Sequence, residues 1–337
     1  MNDGRQEGTQ RHSLQAAEYP PDNLYHQTMP KGVTNMESVT RQTTVTTTLT
    51  VKDIRLLHLL SQCGVIKPDQ AKIAYGDVRK YHLRRIEKLV AAGIIARTHG
   101  YVRATTAGLR MAGINDEPLR IDRHRYQEHS IIVDIASRFP GWIATYPREL
   151  KSKNIVERKS RLSMTLSRDD TKYAVYLFTN APDKATLHAF LSEIGGLPAH
   201  QISKIVVFCT SSEIMQVIAA AKIKKVSECC LLPYPDGIAS FKRYLSQEFR
   251  EYVQTRFPGA VKSGHPSAHF EWRSRTLITV MIHNDLVKRA ALVSYVKSAQ
   301  KTSGRPCIAI CSPSQEFDIP GVEIIYDQPQ AAGLQIT

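Results

Sequence analysis

Between Thr50 and Met111 the spacing of apolar residues changes from a helical period to short strands and back, with glycines at the changes. Thr50 or Asp53 can cap a helix carrying Ile54, Leu56, Leu57, Leu59 and Leu60, and Gly64 ends it. Pro68 fits the first turn of a second short helix through Ile73 and Tyr75. Gly76-Asp77 makes a turn. A third helix is predicted from Val78 to about Ala92, with Val78, Leu83, Ile86, Leu89 and Val90 inward and Gly93 as its stop. Ile94 to Arg97 and Tyr101 to Ala104 read as two strands around Thr98-His99-Gly100, and a further helix runs through Leu109 and Met111.

This order, and the wording Leu89-Val90-Ala91-Ala92-Gly93-Ile94-Ile95, then a basic turn, an aromatic strand and Thr106-Ala107-Gly108, resembles the winged helix–turn–helix family. The third helix carries Arg79, Lys80, His82, Arg84, Arg85 and Lys88 around its apolar stripe, and a recognition helix needs such donors on its exposed face. Arg97, His99 and Arg103 would arm the wing for phosphates. From 51 to 130 there are 15 Lys+Arg against 8 Asp+Glu. The competing reading is a solvated charged face on a domain used for protein contact.

The whole chain carries 45 Lys+Arg against 31 Asp+Glu, a formal charge of +14, which predicts attraction to a polyanion, nucleic acid being the commonest. Its 337 residues suit two or three domains. An apolar fraction of 42% excludes a chain disordered throughout. No run of 18 apolar residues occurs, so no membrane-spanning helix is expected, and the polar start lacks a secretory signal core. Residues 1–48 lack a hydrophobic period and read as a disordered tail. The six cysteines are scattered and read as free, mostly buried thiols of a reducing cytoplasm. Cys307 and Cys311 fall on one strand, about 13 Å apart, too far to share an ion.

After the basic connector Arg120 to Arg125, Glu128-His129 opens an apolar helix that ends in Arg138-Phe139-Pro140-Gly141. Strands at Trp142 to Ala144, Tyr173 to Phe178, Ile205 to Cys209 and Glu228 to Leu232 alternate with helices at Asp183 to Ile194 and Ser212 to Ile223. A third stretch repeats part of this order. A helix from Phe241 to Thr255 ends in Arg256-Phe257-Pro258-Gly259, and strands follow at Thr276 to Ile282 and Cys307 to Cys311 around a helix to about Ser298. A divergent internal duplication would account for it; so would chance, since helix–turn–strand is common.

No G-x-x-x-x-G-K, G-x-S-x-G or H-E-x-x-H motif is present, and the tight pair His265 and His269 reads as loop. The helix–strand–loop–strand–helix–strand order after a winged helix resembles the restriction-endonuclease-like core. With Glu128-His129, Trp142 and Glu149, residues 50 to 230 resemble the replication–relaxation family and the MobC-type plasmid mobilisation proteins. A nuclease of that kind needs carboxylates around Mg²⁺ and a nearby Lys. The family pattern would put acids near Arg161 or Leu162 and near Tyr176, which are not ligands. Glu149, Asp169, Asp170 and Lys172 are the weak catalytic candidates that remain. A tyrosine nucleophile, Tyr126 or Tyr146, is a further option with little to select it. The basic run Arg148, Lys151, Lys153, Arg158, Lys159, Arg161 can track a phosphate backbone or be a solvated loop.

The sequence thus predicts an α/β chain (α+β overall): a tail over 1–48, a winged helix–turn–helix over 49–118, a degenerate nuclease-like α/β domain over 119–235 and a second α/β domain over 236–330. The resemblance implies a cytoplasmic DNA-binding accessory of plasmid or integrative-element mobilisation, conjugation or replication. Its candidate DNA contacts are Arg79, Lys80, His82, Arg84, Arg85, Lys88, Arg97, His99, Arg103, Lys151, Lys153, Arg158 and Lys159. Expected partners are double-stranded DNA and a relaxase, replication or secretion-machinery protein, with a homodimer as a further option and no membrane. No cofactor or metal is expected, Mg²⁺ entering only with the alternative of a DNA-nicking relaxase or nuclease. A winged-helix transcription regulator is the third reading.

Overall fold

The computed structural model describes residues 47–299, 304–313, 315 and 317–327, so the tail expected over 1–48 lies outside them apart from its last two residues. The protein is mixed α/β. Helix α1 (Val51–Cys63) starts at Thr50, whose hydroxyl accepts from the Asp53 N–H while the Asp53 carboxylate accepts from the Thr50 N–H at 2.6 Å. It stops at Gly64, where φ is +83° and an added Cβ would collide with the Ile121 side chain.

A 3₁₀ turn over Pro68–Ala71 leads into α2 (Lys72–Tyr75), α3 (Tyr81–Ala91), β1 (Ile95–Thr98), β2 (Tyr101–Ala104) and α4 (Thr106–Met111). β1 and β2 pair antiparallel from Ile95↔Ala104 to Thr98↔Tyr101. α3 begins later than its apolar spacing predicts. Lys80 has φ +52°, a left-handed conformation that cannot propagate a right-handed helix. Val78 is therefore left outside and 55% exposed rather than inward. Leu56, Leu57, Leu60, Ile86, Leu89 and Val102 pack in one buried cluster, which continues into the elements that follow.

Next come α5 (Tyr126–Ser137), β3 (Ile143–Thr145), α6 (Pro147–Ser152), β4 (Met164–Arg168), β5 (Thr171–Phe178), α7 (Lys184–Gly196), β6 (Lys204–Cys209), α8 (Ser212–Ala219) and β7 (Glu228–Pro233). The strands form one sheet in the order β3-β4-β5-β6-β7, antiparallel as far as β5 and parallel beyond it. β5 is buried on both faces, which is why it reads as an unbroken apolar run. Tyr173, Val175 and Leu177 join the cluster shared with α1 and α5, and Ala174, Tyr176 and Phe178 join a second one with Phe190 and Ile194 of α7. β4, and α6 within the basic run 148–161, carry too little apolar period to be seen in the sequence.

The helix expected over 241–255 is two helices, α9 (Gly237–Leu245) and α10 (Gln247–Arg256). Ser246 is extended at φ −77°, ψ 155°, and its hydroxyl caps α10 by accepting from the Phe249 N–H. β8 (Val261–Lys262), β9 (Phe270–Trp272), β10 (Thr276–Val280), α11 (Leu286–Ala299), β11 (Cys307–Cys311) and β12 (Val322–Tyr326) complete the chain. Their sheet runs β8-β9-β10-β11-β12, again antiparallel through its third strand and parallel thereafter. The two Arg-Phe-Pro-Gly segments sit at equivalent places, each between a helix and the first strand of a sheet, with φ +80° at Gly141 and +79° at Gly259.

The segment after β10 is bound to the edge of the first sheet. Leu231 N–H donates to the Asn284 carbonyl and Asn284 Nδ2 to the Leu231 carbonyl, each at 3.1 Å. All six cysteines are free and buried. Among the described residues no helix is long and apolar enough to cross a membrane.

Candidate nucleic-acid interface

The thirteen basic or imidazole side chains named above do not share one fate. On α3 and the turn before it, Arg79, Lys80, Arg84 and Lys88 are exposed, and their side chains have no hydrogen-bond or ion-pair partner among the described residues. His82 and Arg85 point the other way. His82 is 2% exposed, with Nε2 3.6 Å from Asp69. Arg85 donates from Nε to Asp53 Oδ1 at 2.9 Å, from Nη2 to Asp53 Oδ2 at 2.6 Å and from Nη2 to the Thr48 carbonyl at 2.8 Å. Burial alone would raise the Asp53 carboxyl. The Arg85 bonds, with those from Thr50 and Tyr75, outweigh it and hold the group down at about 2. Neither His82 nor Arg85 is therefore placed to meet a phosphate: both fall on the helix face that closes against α1 and the 3₁₀ turn.

On the ribbon, Arg97, His99 and Arg103 are exposed, and Arg97 reaches Glu87 of α3 at 4.0 Å. His99 lines a shallow hollow with Tyr101, Arg123, His124, Tyr126 and Gln127. Residues Arg123–Arg125 are one 3₁₀ turn, and Arg125 at its end enters a larger cleft.

That cleft, about 650 Å³, lies between the end of α1, the connector 119–122, α5, the start of α6 and the segment 159–163. It gathers Arg120, Arg125, Arg148, Lys151, Lys159 and Arg161, against Asp122 and Glu128. Half of these cations are already engaged. Arg125 donates twice to Glu128 at 3.1 Å. Arg148 donates to the Ser61 and Glu117 carbonyls at 3.0 and 2.8 Å, tying α6 to α1. Arg161 donates to Thr186 at 3.1 Å. Arg120, Lys151 and Lys159 have no side-chain partner among the described residues, so they are the groups a polyanion would meet. The connector was legible as a basic stretch, but its meeting with the 148–161 run is tertiary.

Glu128 and His129 both line the cleft. His129 Nδ1 lies 2.8 Å from the Cys63 carbonyl, which can only accept, so Nδ1 carries the proton. Burial lowers the imidazole's affinity for a second one. Tyr146 also lines the cleft but is 8% exposed, and burial pushes its hydroxyl up, away from the ionised form a nucleophile needs. Tyr126 lines the ribbon-side hollow instead.

The nuclease candidates are not assembled. Glu149 on α6 pairs with Lys153 at 2.6 Å. Asp169 and Asp170 form the turn between β4 and β5, with Asp169 at φ +52°. Thr145 pairs with Thr165 and Arg168 with Thr171, so Glu149 and the two aspartates leave β4 at opposite ends. A five-residue strand spans about 13 Å between its end residues, far more than the two metal–oxygen bonds of about 2.1 Å that a shared Mg²⁺ would bridge. Lys172 lies in β5 opposite Ser167. These four residues do not fit one Mg²⁺. His265 and His269 are separately engaged, with Ser267 at 2.8 Å and the Val280 N–H at 3.0 Å. Lys153 and Arg158 are exposed beside the cleft's rim segment. Two other donor groups are close enough to share an ion among the described residues, Glu228–Cys230–His283 and His269–His283–Asp285.

No known protein family, curated protein or solved structure matches this chain.

Proposed function

We propose that this protein binds duplex DNA, using α3 and the β1–β2 ribbon as a winged helix–turn–helix and the cleft as a second phosphate track. One observation carries the reading. The turn Arg123–Arg125 links the hollow at the ribbon tip, through His99, Arg123 and His124, to the cleft holding Arg120, Lys151 and Lys159. Unpaired cations from three separate segments of chain, Arg120 and Arg123 on the connector, Lys151 on α6 and Lys159, thus border two neighbouring concavities, which suits a phosphate backbone better than a scattered solvated surface. α3 and the turn before it supply Arg79, Lys80, Arg84 and Lys88 for the groove.

On this reading the two five-stranded sheets act as a scaffold, a nuclease-like fold whose metal-binding carboxylates have been lost. The role in plasmid or integrative-element mobilisation or replication, the cytoplasmic location and a relaxase or replication partner rest on the resemblance over residues 50 to 230. The test is binding of a fluorescent duplex over a salt series by wild type, by Arg79→Ala/Arg84→Ala/Lys88→Ala and by Arg120→Ala/Lys151→Ala/Lys159→Ala. Both triple variants should bind more weakly with shallower salt dependence. Wild-type affinity in both would overturn the proposal.

A further inference from the structure

A second cluster lies where the two sheets meet, away from the basic cleft. Glu228 and Cys230 stand two apart on β7 and so share a face. His283 follows β10 and is set against them by the bonds of Asn284 to Leu231, and by Asp285 Oδ1, which accepts from the Cys229 N–H at 3.1 Å and from the Val287 N–H at the start of α11 at 3.0 Å. All three are buried: Glu228 is 5% exposed, Cys230 and His283 not at all. Cys230 Sγ is 3.3 Å and His283 Nε2 is 3.8 Å from Glu228 Oε1. The three donor atoms all lie within 4.8 Å of one another.

These lengths have a chemical meaning. In a tetrahedral zinc site with bonds of about 2.0–2.3 Å, neighbouring donor atoms stand about 3.3–3.6 Å apart. Two edges of the triangle are already within a few tenths of an ångström of that. His283 makes the bare arrangement costly, because neither ring nitrogen has a hydrogen-bond partner among the described residues and the ring is wholly buried. The Glu228 carboxylate is oriented from both sides. Tyr173 donates to Oε1 at 2.8 Å, and Lys204 lies 3.2 Å from Oε2. Tyr244 stacks on the His283 ring at 3.6 Å and fixes its plane. His269 is not a ligand. Val280 N–H donates to its Nδ1, so the proton of the neutral ring sits on Nε2, which lies 3.6 Å from Asp285.

We propose that Glu228 Oε1, Cys230 Sγ and His283 Nε2 bind a zinc-class divalent ion that ties the first sheet to the second. Thiolate and imidazole select such an ion over Mg²⁺, which prefers oxygen. On binding, the ion takes the place of the Cys230 thiol proton, which is released to solvent. One thiolate and one carboxylate then neutralise the ion, so the buried centre carries no net charge. Three protein ligands leave a fourth position for water or a small anion. The adjoining hollow of about 430 Å³, lined by Glu228, Tyr244, Lys204 and Lys288, would supply it.

The test uses the full chain. Protein stripped with a chelator is titrated with Zn²⁺, and in parallel with Co²⁺, whose thiolate bond gives a charge-transfer band in the near ultraviolet. One ion per chain and a band lost in Cys230→Ser and His283→Ala, but kept in Cys229→Ser, are expected. Cys229 is the matched control, because its side chain packs in the cluster on the opposite face of β7. X-ray absorption of the wild-type zinc form needs no variant and should show one sulfur with nitrogen or oxygen neighbours. Failure of the wild type to bind either ion, a band that survives Cys230→Ser, or a zinc shell with no sulfur or several would overturn the proposal.

Discussion

Asp53 and Arg85 close the first helix against the third through a two-point ion pair, with a carboxylate that is wholly buried and an Arg85 side chain that is 14% exposed. The planar fork matches both carboxylate oxygens, a geometry an ammonium group lacks. Removing one partner strands the other. Arg85→Ala should cost about 3–5 kcal/mol of stability in urea unfolding, and Arg85→Lys should recover only part of it. A loss below about 1 kcal/mol would mean that the pair is solvated and Arg85 free for DNA.

The same pair predicts an acid limb. The folded carboxyl is held at about 2 against an ordinary 3.8, so its contribution is full above pH 4 and is lost as pH falls towards 2. A depression of a little under two pKa units corresponds to about 2 kcal/mol. The stability gap between wild type and Asp53→Asn should therefore be level from pH 5 to 7 and shrink below about pH 4. A gap independent of pH down to 2 would contradict the assignment.

On α3 and the turn before it, the exposed cations and the inward His82 should separate cleanly. Replacing Arg79, Arg84 or Lys88 by Ala, one at a time, should reduce the slope of log K against log salt by about 0.9 for each phosphate that the side chain neutralises. His82→Ala should instead lower the melting temperature and leave the salt slope of the folded protein unchanged, because the ring is interior. Equal salt slopes for all four single variants would place the DNA elsewhere.

Glu149→Ala removes a half-exposed i,i+4 pair with Lys153 at the end of α6, worth about 0.3–0.5 kcal/mol, and should leave DNA binding intact. Supercoiled plasmid incubated with wild type and Mg²⁺ or Mn²⁺ should stay intact. A nick that depends on metal and disappears with Glu149→Ala would show that these carboxylates assemble on DNA and would make the protein a nuclease.

Gly108 makes a stability prediction of unusual sign. In an open helix Gly→Ala stabilises by about 1 kcal/mol. Here an added Cβ would strike the carbonyl oxygen of Ile94, where the α4 start, through Thr105, closes onto the chain entering β1. Gly108→Ala should therefore destabilise, read as a lower urea midpoint. The Thr106-Ala107-Gly108 phrase stood out in the sequence, and this close approach is the physical reason for the glycine.

Local spacing by itself determined the α/β class, the order of elements from α1 to α4 and the strand at 173–178, because periods of 3.6 and 2 and glycine stops are properties of neighbouring residues. It missed the break at Ser246 and the late start of α3, where one backbone angle overrides an apolar pattern that continues through it. Tertiary structure alone decided what the charged and titratable side chains do. Arg85 reads as one more cation on a basic helix until Asp53, 32 residues away, meets it. Arg120, Lys151 and Lys159 border one cleft, and Glu228, Cys230 and His283 one buried triangle, only because separate segments fold together. Charge and coordination act through space over a few ångströms, and sequence distance carries no record of which groups will come that close.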